Sequence, residues 1–501
     1  MTGQSEYSVG EIKRFLELWW AGDEMRQLLC EHHAEATDRY GCLPTRVEMA
    51  PFIDPDRRSE LADENLRADF RAYSDFGKSK FQHLATVREQ CRPSDTRFEA
   101  WRGRQMGRNR MVNGITVDHA LPHIPFAIEI CRGCSVGCWY CGCDAGPLEA
   151  IFRYGEEEAE LYRGILRILR KKLGPAARFG SSYWATDPLD NPDYERFMDD
   201  FHEICGMYPQ TTTARPDADI DRTRRLLRVS QAKGRFINRF SIQSLRQLDV
   251  VMRGFTADEL VRVELVPQFP QGVVAKANAG RFFRHAVDKP HLIEKEVAKI
   301  RRLREEKGQP APEEMVTAGT NSCMSGFWIN LVDRFIRLVS PTSASEQWPG
   351  GWILFEEVSF RDAEELEEKV EGLIERHMPS SLPSYRNVAF TSGLDFAPTE
   401  RGFTVRTPHA QFALEAPEGR APLTGVGDLI RSGNRHPEEI CFLARMQYGT
   451  FEADAQRALD ECFERGLLRE EPEVNFFEQE HIEGPAKKLR RVGPIASRAP
   501  A

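Results

Sequence analysis

The chain lacks any apolar run long enough to span a bilayer, and its opening, MTGQSEYS, lacks the charged and apolar blocks of a secretion signal. Both absences point to a reducing cytoplasm as the expected compartment. Basic charge is not in excess either: 68 Lys and Arg against 77 Asp and Glu leave a formal net charge of −9. That balance argues against nucleic acid as the main partner, and leaves room for a short peptide with basic residues of its own. No repeat is visible beyond an alternation of strand-like and helix-like segments. Cysteine is scarce over most of the chain. Of the 12 cysteines, Cys131, Cys134, Cys138, Cys141 and Cys143 fall within one short stretch. In a reducing compartment such a cluster signals free thiols or metal ligands rather than disulfides.

Up to about residue 120 the pattern is helical. Ile12, Phe15, Leu16 and Trp19 share one helix face, and Met25, Leu28 and Leu29 continue it after a break at Gly22. A small bundle covering a larger domain is expected, or else a surface that grips a peptide. From Pro125 strand-like runs alternate with amphipathic helices. FAIEI at 126–130, SSYWAT at 181–186, QTTTA at 210–214, RFINRFSI at 235–242, VELV at 263–266 and MVTAGT at 315–320 read as six strands. Strands that alternate with helices imply right-handed βαβ units, a parallel sheet and an open partial barrel. Its chemistry is expected in the loops at the C-terminal strand ends.

After Gly326 the rhythm changes. Residues 327–339 alternate like a β-hairpin, and Asp362 with Glu365 three on opens a helix whose stripe is Leu366, Val370, Leu373 and Ile374. GFTVRT and AQFALE then read as strands, followed by helices around Leu429, 440–446 and 455–467. The expected organisation is a helical region at 1–120, a barrel at 121–340 and a flanking α/β segment at 341–390. A small α+β, winged-helix-like module at 391–478 and a loose tail at 479–501 complete it.

The cysteine segment reads Cys131-Arg-Gly-Cys134-Ser-Val-Gly-Cys138-Trp-Tyr-Cys141-Gly-Cys143. Closely spaced thiolates on one loop can hold several irons of a single cubane, and Gly137 lets the loop wrap tightly. Ligands in the pattern C-x3-C-x2-C leave one iron open to a small chelating molecule. The rival is zinc, since Cys131/Cys134 and Cys138/Cys141 form two C-x2-C pairs. Structural zinc sites separate their pairs by roughly a dozen residues, whereas here Ser135, Val136 and Gly137 alone intervene.

With Tyr140 as the aromatic residue before the last cysteine, the segment resembles the signature of the radical S-adenosylmethionine (SAM) superfamily. The resemblance implies a partial (β/α)6 radical SAM barrel, a [4Fe–4S] cluster on Cys134, Cys138 and Cys141, and SAM as cofactor. It also implies an electron donor such as flavodoxin or ferredoxin. Ala185-Thr186-Asp187-Pro188 ends the second strand, where the superfamily contacts the SAM amino group; its usual glycines are absent, and Asp187 stands for the usual Glu. Ser241 and Gln243 in Phe240-Ser241-Ile242-Gln243 resemble the polar residues that reach the SAM ribose.

CRGCSVGCWYCG, YWATDPLDNPDYE, PQTTTA, NRFSIQSL, KANAG and CMSGFWINLVDR together, over roughly 95–360, resemble radical SAM epimerases of ribosomally made peptides such as the proteusins. That resemblance implies conversion of L- to D-residues in a precursor peptide made of leader and core. An amide-flanked Cα–H is too weakly acidic for a side-chain base, whereas a primary alkyl radical can abstract its hydrogen. A thiol on the opposite face can then return hydrogen with inversion. The candidate donor is Cys323, expected after the sixth strand at the barrel mouth and matching the donor cysteine of those epimerases. A buried structural cysteine is the alternative, and Cys205 reads as core. Lys276, Asn278 and Arg281 fit peptide or SAM contacts and ordinary loop solvation equally. Thioether or carbon–carbon crosslinking is the rival chemistry. Only Cys323, Cys441 and Cys462 lie beyond residue 300, too dispersed for the extra clusters of such enzymes. The winged-helix-like module resembles leader-recognition modules, which add a leader as a strand to an open sheet edge.

Overall fold

Ser8 and Glu11 start the first helix by exchanging side-chain and backbone hydrogen bonds, a capping box that ends the chain's extended entry. A computed structural model of the chain describes residues 6–63, 66–272, 274–306 and 319–472. Over these residues the fold is mixed α/β. Helix α1 (Val9–Trp19) buries Ile12, Phe15 and Leu16, as their spacing predicts. Two further helices matter for the site: α2 (Ala68–Gln90) and α3 (Thr96–Asn113). Strand β1 (Ile124–Glu129) follows, buried at every position. Its entry is fixed by Arg102, whose guanidinium donates to the carbonyls of Arg88, Pro122 and His123.

The expected alternation then appears. After β1 come α4 (Glu156–Leu173), α5 (Tyr194–Cys205), β2 (Thr212–Thr213), α6 (Ile220–Ala232), β3 (Asn238–Ile242), α7 (Leu245–Gly254), β4 (Val263–Pro267) and α8 (Gly280–Asp288). Strands β2, β3 and β4 form one parallel sheet. The second expected strand, 181–186, is reduced to one residue, Ser181, bridging β1 at Ala127. The cause is local: the Ala185 amide turns away to the Glu129 carboxylate at 2.6 Å, and Asp187 caps a short 3-10 turn at Pro188–Asp190.

The sixth expected strand is also displaced. Residues 315–318 lie outside the described residues, and Gly319 and Thr320 belong to no strand. The parallel strand in this region is β5 (Met324–Asn330), paired on the outer side of β1 from Ile124↔Met324 to Glu129↔Asn330. Its residues are buried without exception, as befits a parallel strand covered on both faces. Gly326 permits the approach, since a Cβ there would lie 1.9 Å from the Pro125 carbonyl oxygen. The parallel strands thus form two separate sheets, with Ser181 bridged to β1 alone, rather than one continuous (β/α)6 ladder.

The hairpin expected at 327–339 is β5 with β6 (Phe335–Pro341), and β7 (Trp352–Ser359) extends the sheet. Helix α9 (Ala363–His377) packs on it with the predicted stripe, Asp362 accepting from the Glu365 amide. The C-terminal module has β8 (Asp395–Pro398), β9 (Gly402–Arg406) and β10 (Gln411–Glu415) in an antiparallel sheet. Helices α10 (Thr424–Ser432), α11 (Pro437–Tyr448) and α12 (Glu452–Glu464) follow. The expected loose tail at 479–501 lies outside the described residues.

One core joins β1, β5–β7, α4, α5 and α9, with Phe98 and Trp101 of α3 among its rings. Removing such a fully buried ring costs about 3–5 kcal/mol. A second core joins α1 to Phe240, Ile242 and Val263, so the N-terminal helices pack on one face of the β2–β4 sheet. Among the described residues no helix is long and apolar enough to cross a membrane.

Candidate active site

The cysteine loop leaves β1 and returns through a short antiparallel ladder, Cys131–Arg132 against Ala150–Ile151. Between them Gly137 takes a φ of +64°, which favours glycine, and the Cys134 amide donates to the Gly146 carbonyl at 3.0 Å. Cys134, Cys138 and Cys141 are free, partly exposed thiols. Burial pushes Cys134 up to about 11, opposed by the amides of Val136 and Asp187 facing its sulfur.

Three sets of partners hold this loop. On one side the Asp190 carboxylate accepts from the Ser135 amide at 2.9 Å and from its hydroxyl at 2.5 Å, while Arg215 bridges both residues. On the other, the Arg281 guanidinium donates to the carbonyls of Cys138 (2.8 Å) and Ala145 and to Asp144 (3.2 Å). The Arg281 amide donates to the Cys141 carbonyl at 2.8 Å. Gly280, at φ +59°, allows this seating, because a Cβ there would lie 2.3 Å from the Gly142 carbonyl oxygen. From the end of β3, the Gln243 Oε1 accepts from the Tyr140 hydroxyl and stands 3.7 Å from the Cys138 sulfur.

Of the residues expected to meet SAM, Tyr140 and Gln243 are therefore brought together with Cys138. Gln243 also donates to the Ser241 carbonyl at 3.1 Å. Asp187 sits beside Cys134, but its carboxylate is engaged: it accepts from Thr213, from the Ala214 amide at 2.6 Å and from the Leu189 amide at 3.0 Å. Those bonds tie the expected second and third strand ends together. Thr186 is buried, with its hydroxyl directed to the Asp187 carbonyl and toward Cys131.

Cys323 stands before β5 rather than after a strand. Its carbonyl accepts from the Ile124 amide at 2.9 Å, which puts it at the N-terminal end of β5, not at the C-terminal mouth. The reason is the continuous apolar run after it, which pairs with β1. The thiol nevertheless lies within electrostatic range of Arg239, Tyr183 and Cys143. Burial pushes it above the usual thiol range and Arg239 opposes that rise, so the sulfur retains its hydrogen at neutral pH. Asn321 connects this segment to the cysteine loop, packing so tightly on Gly142 that a Cβ there would lie 2.3 Å from its side-chain nitrogen.

Asp190, Arg215 and Arg281 went unrecognised as loop holders. The only local signal was Asp190 three residues after Asp187; Arg215 reaches Ser135 across 80 positions and Arg281 reaches Cys138 across 143. Lys276 is buried, pairs with Glu296 at 3.3 Å and lies 5.2 Å from the Tyr140 ring.

Among the described residues no three His, Cys, Asp or Glu side chains converge closely enough to hold a single metal ion. A cubane asks for something else: thiolates spread around a cluster from one loop. The donor chemistry and the space fit it, since a Cβ on Gly137 meets nothing within 4 Å. Asn278 and Gln268 each hold a buried side-chain oxygen without a hydrogen-bond partner.

No family model matches the chain. A Sinorhizobium fredii protein, described as "Uncharacterized protein y4wI", is 32% identical to it over 482 residues, covering 94% of this chain and 89% of the relative. Among solved structures, the crystal structure of BtrN in complex with AdoMet and 2-DOIA aligns at 13% identity and a TM-score of 0.23, over 37% of this chain and 87% of that chain. A likeness of that size leaves the chemistry to be read from this chain's own residues.

Proposed function

We propose that this chain, which belongs to the same family as the Sinorhizobium fredii protein y4wI, is a radical SAM peptide epimerase that converts L- to D-residues in a ribosomally made precursor. The observation that carries the reading is the cysteine loop. It has C-x3-C-x2-C spacing, follows a buried first strand, and is gripped by Gln243 from a later parallel strand. When bound, a [4Fe–4S] cluster and SAM supply a 5′-deoxyadenosyl radical able to take a Cα hydrogen.

Within that reading the chain's residues have distinct tasks. Cys134, Cys138 and Cys141 hold the cluster, and Arg281 and Asp190 fix the loop that carries them. Tyr140 and Gln243 border the cofactor, with Thr186, Asp187 and Ser241 at neighbouring strand ends. Cys323 returns hydrogen to the Cα centre from the opposite face, and burial keeps it in the protonated state with hydrogen to give. The strands β8–β10 offer a sheet edge for a leader peptide. A small electron donor such as flavodoxin or ferredoxin, in a reducing cytoplasm, would supply one electron for SAM cleavage and a second which, with a solvent proton, returns the Cys323 thiyl to the thiol.

Anaerobic reconstitution with iron and sulfide tests the reading. The wild-type chain should turn brown, bind about four irons and release 5′-deoxyadenosine from SAM under reduction. Cys134→Ala, Cys138→Ala and Cys141→Ala should each lose most of that iron and the SAM cleavage. A colourless wild-type chain holding one zinc would overturn it.

A further inference from the structure

The cysteine loop shows solvent an aromatic ring that the proposed chemistry leaves without a task. Trp139, peptide-bonded to Cys138, is 47% exposed. Its ring centre lies 5.6 Å from that of Tyr140, 5.8 Å from that of Phe282 and 6.4 Å from that of His285. Helix α8, which carries Phe282 and His285, starts on the loop itself. The Arg281 amide donates to the Cys141 carbonyl and its guanidinium to the Cys138 carbonyl, each at 2.8 Å. Further along α8, the Arg284 side chain is 62% exposed and Val287 is 63% exposed. The surface that Trp139 shares with this helix is therefore backed directly by Cys138 and Cys141.

Positive charge is in excess here. Asp144 of the loop faces two cations, Arg281 at 3.2 Å and Arg284 at 2.7 Å. Glu296 likewise pairs with Lys276 at 3.3 Å and with Lys299 at 2.6 Å, and the Lys276 ammonium lies 5.6 Å from the Trp139 ring centre. Each carboxylate is thus outnumbered two to one. At the end of α8, Lys289 is exposed next to Asp288, so the helix end is balanced and the excess persists. Such a face stands out on a chain whose formal net charge is −9. An exposed Trp flanked by Arg also has the composition that protein contacts favour.

We infer that Trp139, Arg284 and Val287 form the docking surface for a small acidic electron-transfer protein. The inference rests on the proposed radical chemistry, which needs an external donor. In each encounter one electron leaves the carrier, which is oxidised by one, and passes to the cluster held by the cysteines. Electron transfer between proteins falls steeply with distance, and this surface is one peptide bond from Cys138. Long-range attraction draws an acidic partner to a cationic face and raises its on-rate, whereas a basic partner is repelled. Redox encounters are weak and small, so a patch of one ring and a few side chains is enough.

The test uses the full reconstituted chain with a bacterial flavodoxin as probe. Calorimetric titration with oxidised flavodoxin at low ionic strength should show binding that weakens as salt is added. Arg284→Glu should weaken it about tenfold. Val287→Glu should do the same without touching the Asp144 pair. Arg445→Glu, an equal charge change at an exposed site of the C-terminal module, should alter it less than twofold. Release of 5′-deoxyadenosine driven by reduced flavodoxin should fall in the same two variants, while the rate with dithionite stays within twofold of wild type. No binding, binding equal in all four chains, or an equal loss in Arg445→Glu overturns the surface. Loss under both reductants also overturns it, since the helix would then be supporting the loop alone. The titration needs no SAM chemistry, so the surface and the proposed reaction fail separately. A wild-type chain that binds flavodoxin as described but cleaves no SAM with dithionite keeps the surface and removes the reaction. A dithionite-active chain that binds no flavodoxin does the reverse.

Discussion

Cys323 carries a half-buried, protonated thiol within electrostatic range of Cys143, Tyr183 and Arg239, and the proposed chemistry asks it for one hydrogen atom per turnover. If that is its task, Cys323→Ala should still release 5′-deoxyadenosine in the presence of peptide while D-residues fall at least ~100-fold. Chiral amino-acid analysis of the product checks this; undiminished D-residue yield would return Cys323 to the structural role usual for buried cysteines. The motif singled out Cys323, but its place in the fold was not legible. The run Met324-Ser-Gly-Phe-Trp-Ile-Asn reads equally as half of a hairpin or as a buried parallel strand, and the deciding contact, Ile124↔Met324, spans 200 positions. Arg281 was singled out as a possible peptide or SAM contact, but its actual partner, the Cys138 carbonyl, lies 143 residues away and was not legible. Cysteine spacing, by contrast, is local, and local patterns survive in sequence.

At the scale of elements, β1 and β5 are joined by a buried polar network as well as by apolar packing. The His123 Nε2 donates to Asp118 at 3.1 Å, so its Nδ1 accepts from the Ser325 hydroxyl at 2.8 Å. Burial, only partly offset by Asp118, holds His123 down to about 4. For Asp118, burial alone would raise the carboxyl, but His123, Asn109 and Arg88 bring it down to about 2. Both groups bind protons more readily in the unfolded chain, so both contribute stability that is lost as pH falls. For His123 the loss runs from about 6.5, its unfolded value, down to about 4. The denaturant midpoint should decline across that window, and His123→Gln should flatten the decline; a wild-type midpoint independent of pH there contradicts the assignment. The alternating β and α segments were readable because period and composition mark them. The second strand was not, because Glu129 and Asp187 draw the backbone of 185–187 out of the ladder through side-chain bonds.

Across the whole molecule, two units pack against the central α/β region at different places. The N-terminal helices share a core with β3 and β4, while the C-terminal module docks on α3, where Arg104 pairs with Glu470 at 2.8 Å and Met111 joins its core. That module was legible as two strands followed by three helices; β8 was not, since Asp395-Phe-Ala-Pro is too short to show alternation. If its sheet binds the leader, core peptide without leader should show a KM at least ~10-fold higher at similar kcat. Equal KM with and without leader would leave the module a structural cap. The central claim is inversion at Cα with hydrogen drawn from an exchangeable thiol, and one experiment addresses it directly. The chain is incubated with unlabelled precursor peptide in D₂O, and the product is read by mass spectrometry and chiral analysis. The account predicts one deuterium at Cα for each D-residue; D-residues without deuterium, or a loss of mass from crosslinking, would contradict it.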